Sequence, residues 1–421
     1  MTRVALPEAP STGRELEDYV AGLFQAAGYF VERGIHERSF TDVLELDVVA
    51  TRYTEAAPRS VLVEAKGGRW GFPDLFKVVG WMQYLGIDKG GFFVVEDSAP
   101  RHLGSIHHKV APLGVALVDL ADFHDPCARF REAGFGEIRD PLLTGIWRYS
   151  FWVERALLDS LRRRRKAAPS SQGPQAALAY HDLIHDHEFF VKDLAERLRL
   201  LYGAYRDHPK LSLGLAGELG GRAFDARCGT FDSAVVREAI FEGKHPAVQA
   251  CFYIEHRARL SILKAAVDLL CQHAPPPSGL ATLPGTCREG LRALRSRPSF
   301  RRYALLWQVF LWGFGGFFLL DREQQELRWL AEQTGIPPEE IEQGLRAFDD
   351  LFPLGEGGWI VPLRGTRLRV AKLVPAPFRG IGAIQRLKRY GVRSYDELGL
   401  TGATRRNLIH WHNSLVGLLA A

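Results

Sequence analysis

Cysteine is scarce in this sequence, and its spacing suggests no structural framework. The five cysteines among 421 residues form no CxxC pair; they are Cys127, Cys228, Cys251, Cys271 and Cys287. This spacing argues against a zinc ribbon and against a disulfide scaffold, and it suits a reducing cytosol. The N-terminus also lacks the basic-then-apolar pattern of a signal peptide. We therefore expect a cytoplasmic protein.

Long apolar runs are equally few. One stretch, Ala304–Leu320, has no charged residue, and Gln308 is its one clearly polar side chain. Its 17 residues lie at the lower limit for crossing a bilayer, and three glycines interrupt the second half. The stretch therefore predicts a buried helix followed by a turn and a short apolar segment. Membrane attachment is the less favoured alternative.

An excess of basic residues is confined to the C-terminal end. From residue 364 onward there are eleven lysines and arginines but two acids, Asp396 and Glu397. The preceding 363 residues hold 43 basic and 47 acidic residues, so the net charge of +5 belongs to the C-terminal segment. Such asymmetry indicates an anionic partner, in particular nucleic acid.

The length predicts two or three domains. Residues 1–125 have the element order α-β-β-β-α-β-α-β, which is typical of an α/β unit. Gly28 and Gly86 should end its first and second helices, and its first strand should span Tyr29–Ile35 before a polar loop. The remaining segments are 126–175 (a connecting helix and a Pro/Ser/Gly-rich linker), 176–274 (helical), 280–363 (helical) and 364–421 (basic). In the second helical segment, the turn Gly335-Ile336-Pro337 and a strand pair around Gly357-Gly358 are compatible with a winged helix-turn-helix.

Two predicted strands carry charges where apolar residues dominate. Leu44–Ala50 contains Asp47, and Ser60–Gly67 contains Glu64 and Lys66. Because side chains alternate along a strand, Glu64 and Lys66 share one face. Two acids and a lysine brought together at one sheet edge can hold a divalent cation and offset developing negative charge. The alternative is a salt bridge between Glu64 and Lys66 on an exposed strand.

These residues resemble the PD-(D/E)XK nuclease superfamily, in particular restriction-endonuclease-like proteins of the Mrr type and archaeal Holliday-junction resolvases. The resemblance rests on Asp47, on Glu64-Ala65-Lys66, and on an upstream helix bearing Leu16-Glu17 that is followed by Gly28-Tyr29. It covers about residues 13 to 120. Leu46 stands where the family usually has the proline of its Pro-Asp pair.

The resemblance implies a restriction-endonuclease-like α/β fold and a role for each matched residue. Asp47 and Glu64 would bind Mg²⁺, for which Mn²⁺ may substitute, with the carbonyl of Ala65 as a further ligand. Lys66 would orient the attacking water or offset charge at the phosphorus. Glu17 would support the metal or its water shell. Hard carboxylate oxygens suit Mg²⁺, and a cation suits the developing charge on the phosphate.

Candidate DNA contacts lie outside this set. Lys77 falls on the helix after the second charged strand, where it could touch a phosphate. Gly380-Ile381-Gly382 resembles a helix-hairpin-helix turn, although prolines replace the helix that should precede it. The basic residues around this turn are candidate phosphate contacts, or else a solvated helix face: Arg379, Arg386, Lys388 and Arg389.

Several other polar residues are less favoured candidates for metal binding or substrate contact. His181, His185 and His187 form an HxxxHxH array in which the first two share a helical face, but no further ligand is evident, so we predict surface or capping histidines. Glu45 could replace Asp47 as a ligand, although a solvated charge is favoured. Candidate substrate contacts in the loop before the first charged strand are Arg33, His36 and Arg38.

The resulting prediction is a Mg²⁺-dependent DNA endonuclease with helical domains after its catalytic core. A role in defence against foreign DNA follows by analogy alone. The alternatives are a nuclease that repairs branched DNA and a nucleic-acid-binding or regulatory protein on an inactive core. A homodimer, a partner protein and an activating ligand are all left open.

Overall fold

The computed structural model describes most of the first 370 residues. The described ranges are 13–37, 44–54, 57–95, 103–120, 123–139, 143–167, 172–207, 246–272, 281–314, 316–320, 323–352, 359–363 and 366–370, with Pro10, Pro141 and the short strands β6 (Phe224–Asp225) and β7 (Thr230–Phe231). The predicted helix-hairpin-helix-like turn and most of the basic C-terminal segment lie outside them.

The N-terminal elements follow the predicted order. They are α1 (Gly13–Ala26), β1 (Phe30–Glu37), β2 (Leu44–Arg52), β3 (Arg59–Lys66), α2 (Phe72–Leu85), β4 (Lys89–Val94), α3 (Leu103–Val110) and β5 (Val115–Asp119). β1 runs two residues further than predicted, into the stretch that the sequence suggested as a loop. Two predicted helix stops are confirmed: Gly28 and Gly86 both have a positive φ, a conformation that glycine adopts without strain.

The five strands form one mixed sheet in chain order. β1, β2 and β3 are antiparallel, with Val48 opposite Val63, whereas β3, β4 and β5 run parallel. β3 is therefore the central strand, which places Glu64 and Lys66 in the interior of the sheet. Its apolar residues pack on both sides: Val61 and Val63 belong to the core beneath α1, and Leu62 to the core beneath α2.

Helices follow the sheet for most of the described chain. They are α4 (Pro126–Glu132), α5 (Leu143–Ala167), α6 (Gln172–His185), α7 (Leu194–Asp207), α8 (Pro246–Cys271), α9 (Gly285–Ser296), α10 (Tyr303–Phe314), α11 (Glu323–Thr334) and α12 (Ile341–Leu351). α6 begins inside the stretch predicted as a linker. Pro174 is tolerated there because the backbone N–H groups in the first turn of a helix have no acceptor within the helix, so the N–H that proline lacks is not needed.

The apolar stretch Ala304–Leu320 forms α10 and then β8 (Phe317–Leu319), which confirms the predicted buried helix and short apolar segment. The side chain of Gln308 is fully buried and pairs with the backbone of edge strand β1. Its Oε1 accepts from Val31 N, and its Nε2 donates to Val31 O, both at 2.9 Å. Among the described residues, no helix is both long and apolar enough to span a membrane.

The last described elements form a second, smaller sheet. β9 (Trp359–Leu363) and β10 (Thr366–Val370) pair antiparallel, and β10 also pairs with β8. One continuous apolar core runs from Leu16 of α1 to Phe352 after α12. The helices are therefore packed on the N-terminal sheet. The coarse architecture predicted from the sequence is confirmed: an α/β unit followed by mostly helical segments.

Candidate active site

Two acids from neighbouring strands meet near the ends of β2 and β3. The register that pairs Val48 with Val63 places Asp47 opposite Glu64 when it is continued by one residue. Asp47 Oδ2 accepts a hydrogen bond from Ala65 N at 2.8 Å. The side chain of Asp47 is thus held against β3, next to the motif that the sequence singled out. The contact involves the N–H of Ala65, the residue whose carbonyl is the predicted metal ligand.

Glu64 is buried, with 2% of its surface exposed. Lys66 Nζ lies 2.6 Å from Glu64 Oε1, and Lys77 Nζ lies 3.6 Å from the same oxygen. Burial lowers the pKa of Lys66. The hydrogen bond to Glu64 and the negative charges of Glu64, Asp47 and Asp74 raise it by a larger amount, so the pKa of Lys66 lies above its ordinary value. The predicted salt bridge is therefore present, but on a central strand with a buried acid rather than on an exposed one.

Glu17 reaches the same group of acids from α1. Burial, followed by the charges of Asp18 and Glu45, raises its pKa to about 6. The pKa of Asp47 rises to about 8, because Asp47 is buried and because Glu64 and Glu17 are close enough to repel its charge. The structure thus brings Asp47, Glu64 and Lys66 together, and Glu17 lies close enough to Asp47 for its charge to raise the pKa of Asp47.

This donor set fits a divalent cation. Three carboxylates in partly buried positions repel one another, and a bound cation of charge +2 relieves both the repulsion and the cost of desolvation. Their oxygens are the ligand type that Mg²⁺ prefers. Glu64, Asp47 and Glu17 are the residues that would hold it, while Lys66 remains a fixed positive charge beside them.

Asp47→Asn is expected to stabilise the metal-free protein. The folded-state pKa of about 8 exceeds the ordinary aspartate value of 3.8. Between these two pKa values the folded state therefore binds more protons than the unfolded state. The free energy of unfolding of the wild type falls as the pH rises from about 4 to about 8. Asparagine removes this penalty and can still accept from Ala65 N. We expect a gain of roughly 1–3 kcal/mol at pH 8, and almost none at pH 4.

Urea unfolding in the presence of a chelator measures this gain. Glu45→Gln is the matched control, because the Glu45 side chain is 55% exposed and its loss should change stability little. A wild-type stability that does not fall between pH 4 and pH 8, together with no gain in Asp47→Asn, would contradict the crowded-carboxylate description.

The structure places the remaining predicted DNA and substrate contacts in different surroundings. Lys77 adjoins Glu64, and its ammonium lies 4.1 Å from the centre of the Trp81 ring. Arg33 is engaged inside the protein: it pairs with Asp18 and lies over the ring of Phe151 at 4.0 Å. His36 and Glu45 line a cleft together with Glu17. Predicted contacts outside the described residues are Arg38, Arg379, Arg386, Lys388 and Arg389.

The same cleft, of about 100 Å³, contains a second group of metal-ligating side chains. One ligand atom from each of Glu154, His181 and His185 lies within 4.8 Å of the others, so this group could hold a metal ion. The prediction of surface histidines is wrong for His185, which is buried. Its Nδ1 lies 2.9 Å from the carbonyl oxygen of His181, four residues earlier in the last turn of α6. Burial, followed by the charges of His181 and Arg257, lowers the pKa of His185 well below its ordinary value.

Glu154 was missed at the sequence level because it lies on a different helix, 27 residues before His181. The HxxxH spacing is the one signal that pointed to this place. No protein-family model, curated protein or solved structure matches the chain.

Proposed function

We propose that this protein is a divalent-metal-dependent endonuclease that hydrolyses DNA phosphodiester bonds. The single observation that carries the proposal is the juxtaposition of Asp47, Glu64 and Lys66. Asp47 is tied to Ala65 N at 2.8 Å, and Lys66 Nζ lies 2.6 Å from the buried Glu64. Acids that bind a hard cation, with a fixed ammonium beside them, form the arrangement that phosphodiester hydrolysis requires.

Each residue has a definite task in this proposal. Asp47 and Glu64 hold Mg²⁺ or Mn²⁺, with Glu17 in support, and the ion supplies Lewis acidity at the scissile phosphate. Lys66 keeps its charge because the neighbouring carboxylates raise its pKa. That charge offsets the negative charge that develops on the phosphate oxygens in the transition state. The element order α-β-β-β-α-β around a mixed sheet also agrees with the PD-(D/E)XK resemblance.

The surface of α2 supports a nucleic-acid substrate. Phe72, Phe76 and Tyr84 are large apolar side chains that stand exposed on this helix. Cations accompany them: Lys109 Nζ lies 5.7 Å from the Phe72 ring centre, and Lys192 Nζ lies 5.2 Å from that of Tyr84. Exposed aromatic rings offer stacking surfaces to bases, and lysines attract phosphates. Lys77 connects this surface to Glu64.

The C-terminal part of the described chain has the element order α-β-α-α-β-β, which we assign to a winged helix-turn-helix. Its last helix, α12, does not present a basic surface. Glu342, Asp349 and Asp350 outnumber Arg346 on the side not buried in the core. We therefore assign a packing role to this unit and the contact with DNA to α2 and the basic residues after 364.

Cleavage of defined substrates tests the proposal. Full-length protein is incubated with supercoiled plasmid, linear duplex, single-stranded DNA and RNA, in Mg²⁺, in Mn²⁺ or in EDTA. We expect DNA cleavage that needs the metal, a loss of at least ~100-fold in Asp47→Asn, and full activity in Glu45→Gln. Cleavage that survives Asp47→Asn would contradict the assigned site. No cleavage of any substrate would instead favour a binding protein on an inactive core.

A further inference from the structure

Glu154, His181 and His185 come from two helices that the cleft brings together. Glu154 lies on α5, and the two histidines lie one helical turn apart on α6. Glu154 and His185 are both buried, and the side chain of His181 is 12% exposed. Buried imidazoles beside a buried carboxylate form a donor set of two nitrogens and one oxygen, which is common in zinc sites.

The hydrogen bond of His185 determines which of its ring nitrogens can bind a ligand. Nδ1 lies 2.9 Å from the carbonyl oxygen of His181. A carbonyl oxygen can accept but not donate, so Nδ1 carries the proton and Nε2 keeps its lone pair. Metal-binding histidines commonly donate their second ring N–H to a backbone carbonyl, which fixes the tautomer and the ring orientation. His185 already has this arrangement.

His181 has a buried ring nitrogen with no hydrogen-bond partner among the residues that the structure describes. Its Nδ1 is shielded from solvent, and Asp182 Oδ1, at 3.7 Å, lies beyond hydrogen-bond distance. Leaving such an atom without a partner costs free energy, which a bound metal ion would recover. The two imidazole rings are also nearly parallel, with centres 4.1 Å apart, so the two side chains lie side by side at the wall of the cleft.

Neighbouring charges include some that oppose and some that favour the binding of a cation. Arg33 Nη2 lies 3.6 Å from Glu154 Oε2, and Arg257 Nε lies 3.8 Å from Glu154 Oε1. These guanidinium groups weaken cation binding, because the metal must share Glu154 with them. Five acids and four arginines line the cleft, so its overall charge does not exclude a cation: Glu17, Asp18, Glu45, Glu154 and Asp159 face Arg14, Arg33, Arg155 and Arg162.

We infer that Glu154, His181 and His185 bind one zinc-like transition-metal ion, which links α5 to α6 at the wall of the cleft. Ligands of a tetrahedral zinc ion lie about 3.4 Å apart, so ligand atoms that are now up to 4.8 Å apart would move together by at most about 1.4 Å. Imidazole nitrogens favour such a metal over Mg²⁺. The site is therefore chemically distinct from the carboxylates around Asp47, and it does not depend on the proposed nuclease activity.

Metal titration of the full-length protein tests this inference. After chelator treatment and gel filtration, Zn²⁺ and Co²⁺ are added separately, and binding is measured by competition with a chromogenic chelator. We expect one equivalent of Zn²⁺ in the wild type, binding at least ~10-fold weaker in His181→Ala and in Glu154→Gln, and a visible Co²⁺ absorption band that both variants lose. Asp47→Asn should bind Zn²⁺ as the wild type does.

His36→Ala is the matched control, because this histidine lines the same cleft but is not one of the three ligands. Circular dichroism checks that each variant is folded, and Glu154→Gln preserves side-chain size if His181→Ala does not fold. Less than one equivalent of Zn²⁺ in the wild type would overturn the inference. So would wild-type affinity in folded His181→Ala and Glu154→Gln, or an equal loss in His36→Ala. None of these readouts depends on DNA cleavage.

Discussion

Replacing Lys66 with alanine is expected to lower Mg²⁺-dependent DNA cleavage by a factor on the order of 10²–10³, the usual effect of removing one preorganised charge from a transition state. The Lys66 ammonium lies 2.6 Å from Glu64 and is 29% exposed, so it is both anchored and accessible to a substrate. Its proposed role is to offset the negative charge that develops on the phosphate oxygens in the transition state. The loss should therefore appear in the rate of cleavage more than in DNA binding.

Lys77→Ala is the matched control for this prediction. Lys77 approaches the same oxygen of Glu64, but at 3.6 Å and with 43% of its side chain exposed. Water and salt screen a more exposed and more distant charge, so we expect a loss below about tenfold. Single-turnover cleavage measures both variants, and a binding assay in Ca²⁺ separates affinity from rate. A folded Lys66→Ala protein that cleaves DNA as fast as the wild type would remove Lys66 from the mechanism.

Lys264→Met is expected to destabilise the protein by about 3–5 kcal/mol, the range for breaking a buried ion pair. Lys264 is buried on α8, with its Nζ 2.7 Å from Asp268 Oδ2 and 3.4 Å from Glu32 Oε2. Tyr53 also donates to Asp268 at 2.7 Å. Methionine fills a similar volume but removes the ammonium from Asp268 and from the buried Glu32, which keeps the more distant Arg197 at 3.8 Å. Because Glu32 lies on β1, this cluster joins the helices to the N-terminal sheet.

The surface pair Glu196–Arg199 is the matched control. Its atoms approach to 2.5 Å, yet both side chains are more than 40% exposed. Arg199→Met should leave the free energy of unfolding close to the wild-type value, because water screens an exposed ion pair. Urea unfolding at pH 7 measures both variants. The double variant Glu32→Gln/Lys264→Met should lose less than the two single losses together, because the two residues share one interaction. A loss below about 1 kcal/mol in Lys264→Met would show that the cluster is not a structural link.

Local sequence patterns predicted the N-terminal unit well. Apolar alternation indicated the strands around Asp47 and Glu64, and glycine stops indicated the ends of α1 and α2. Both signals act within a few residues, which is why they can be read without a structure. The pairing of Glu64 with Lys66 follows from the same alternation and is present in the structure.

Patterns of this kind failed where a residue acts across the chain. Gln308 looked like an isolated polar residue in an apolar stretch, but it completes the hydrogen bonding of β1, 277 residues away. Arg33 was assigned to a loop before the first charged strand, but it lies in β1 and pairs with Asp18 of α1. The metal interpretation of His181 and His185 lacked a ligand because Glu154 comes from another helix. The periodicity of a sequence gives no information about contacts between residues that lie so far apart along the chain.

The sequence by itself determined the mixed α/β unit, the charged triplet on two neighbouring strands and the basic character of the C-terminal end, because these depend on residue type and short-range spacing. The tertiary structure alone decided that Lys264 lies between Glu32 and Asp268, and that Glu154 faces a histidine pair. Those arrangements depend on which surfaces pack together. Packing brings distant residues into one low-dielectric space, where their charges shift one another's pKa values and a metal ion can be shared.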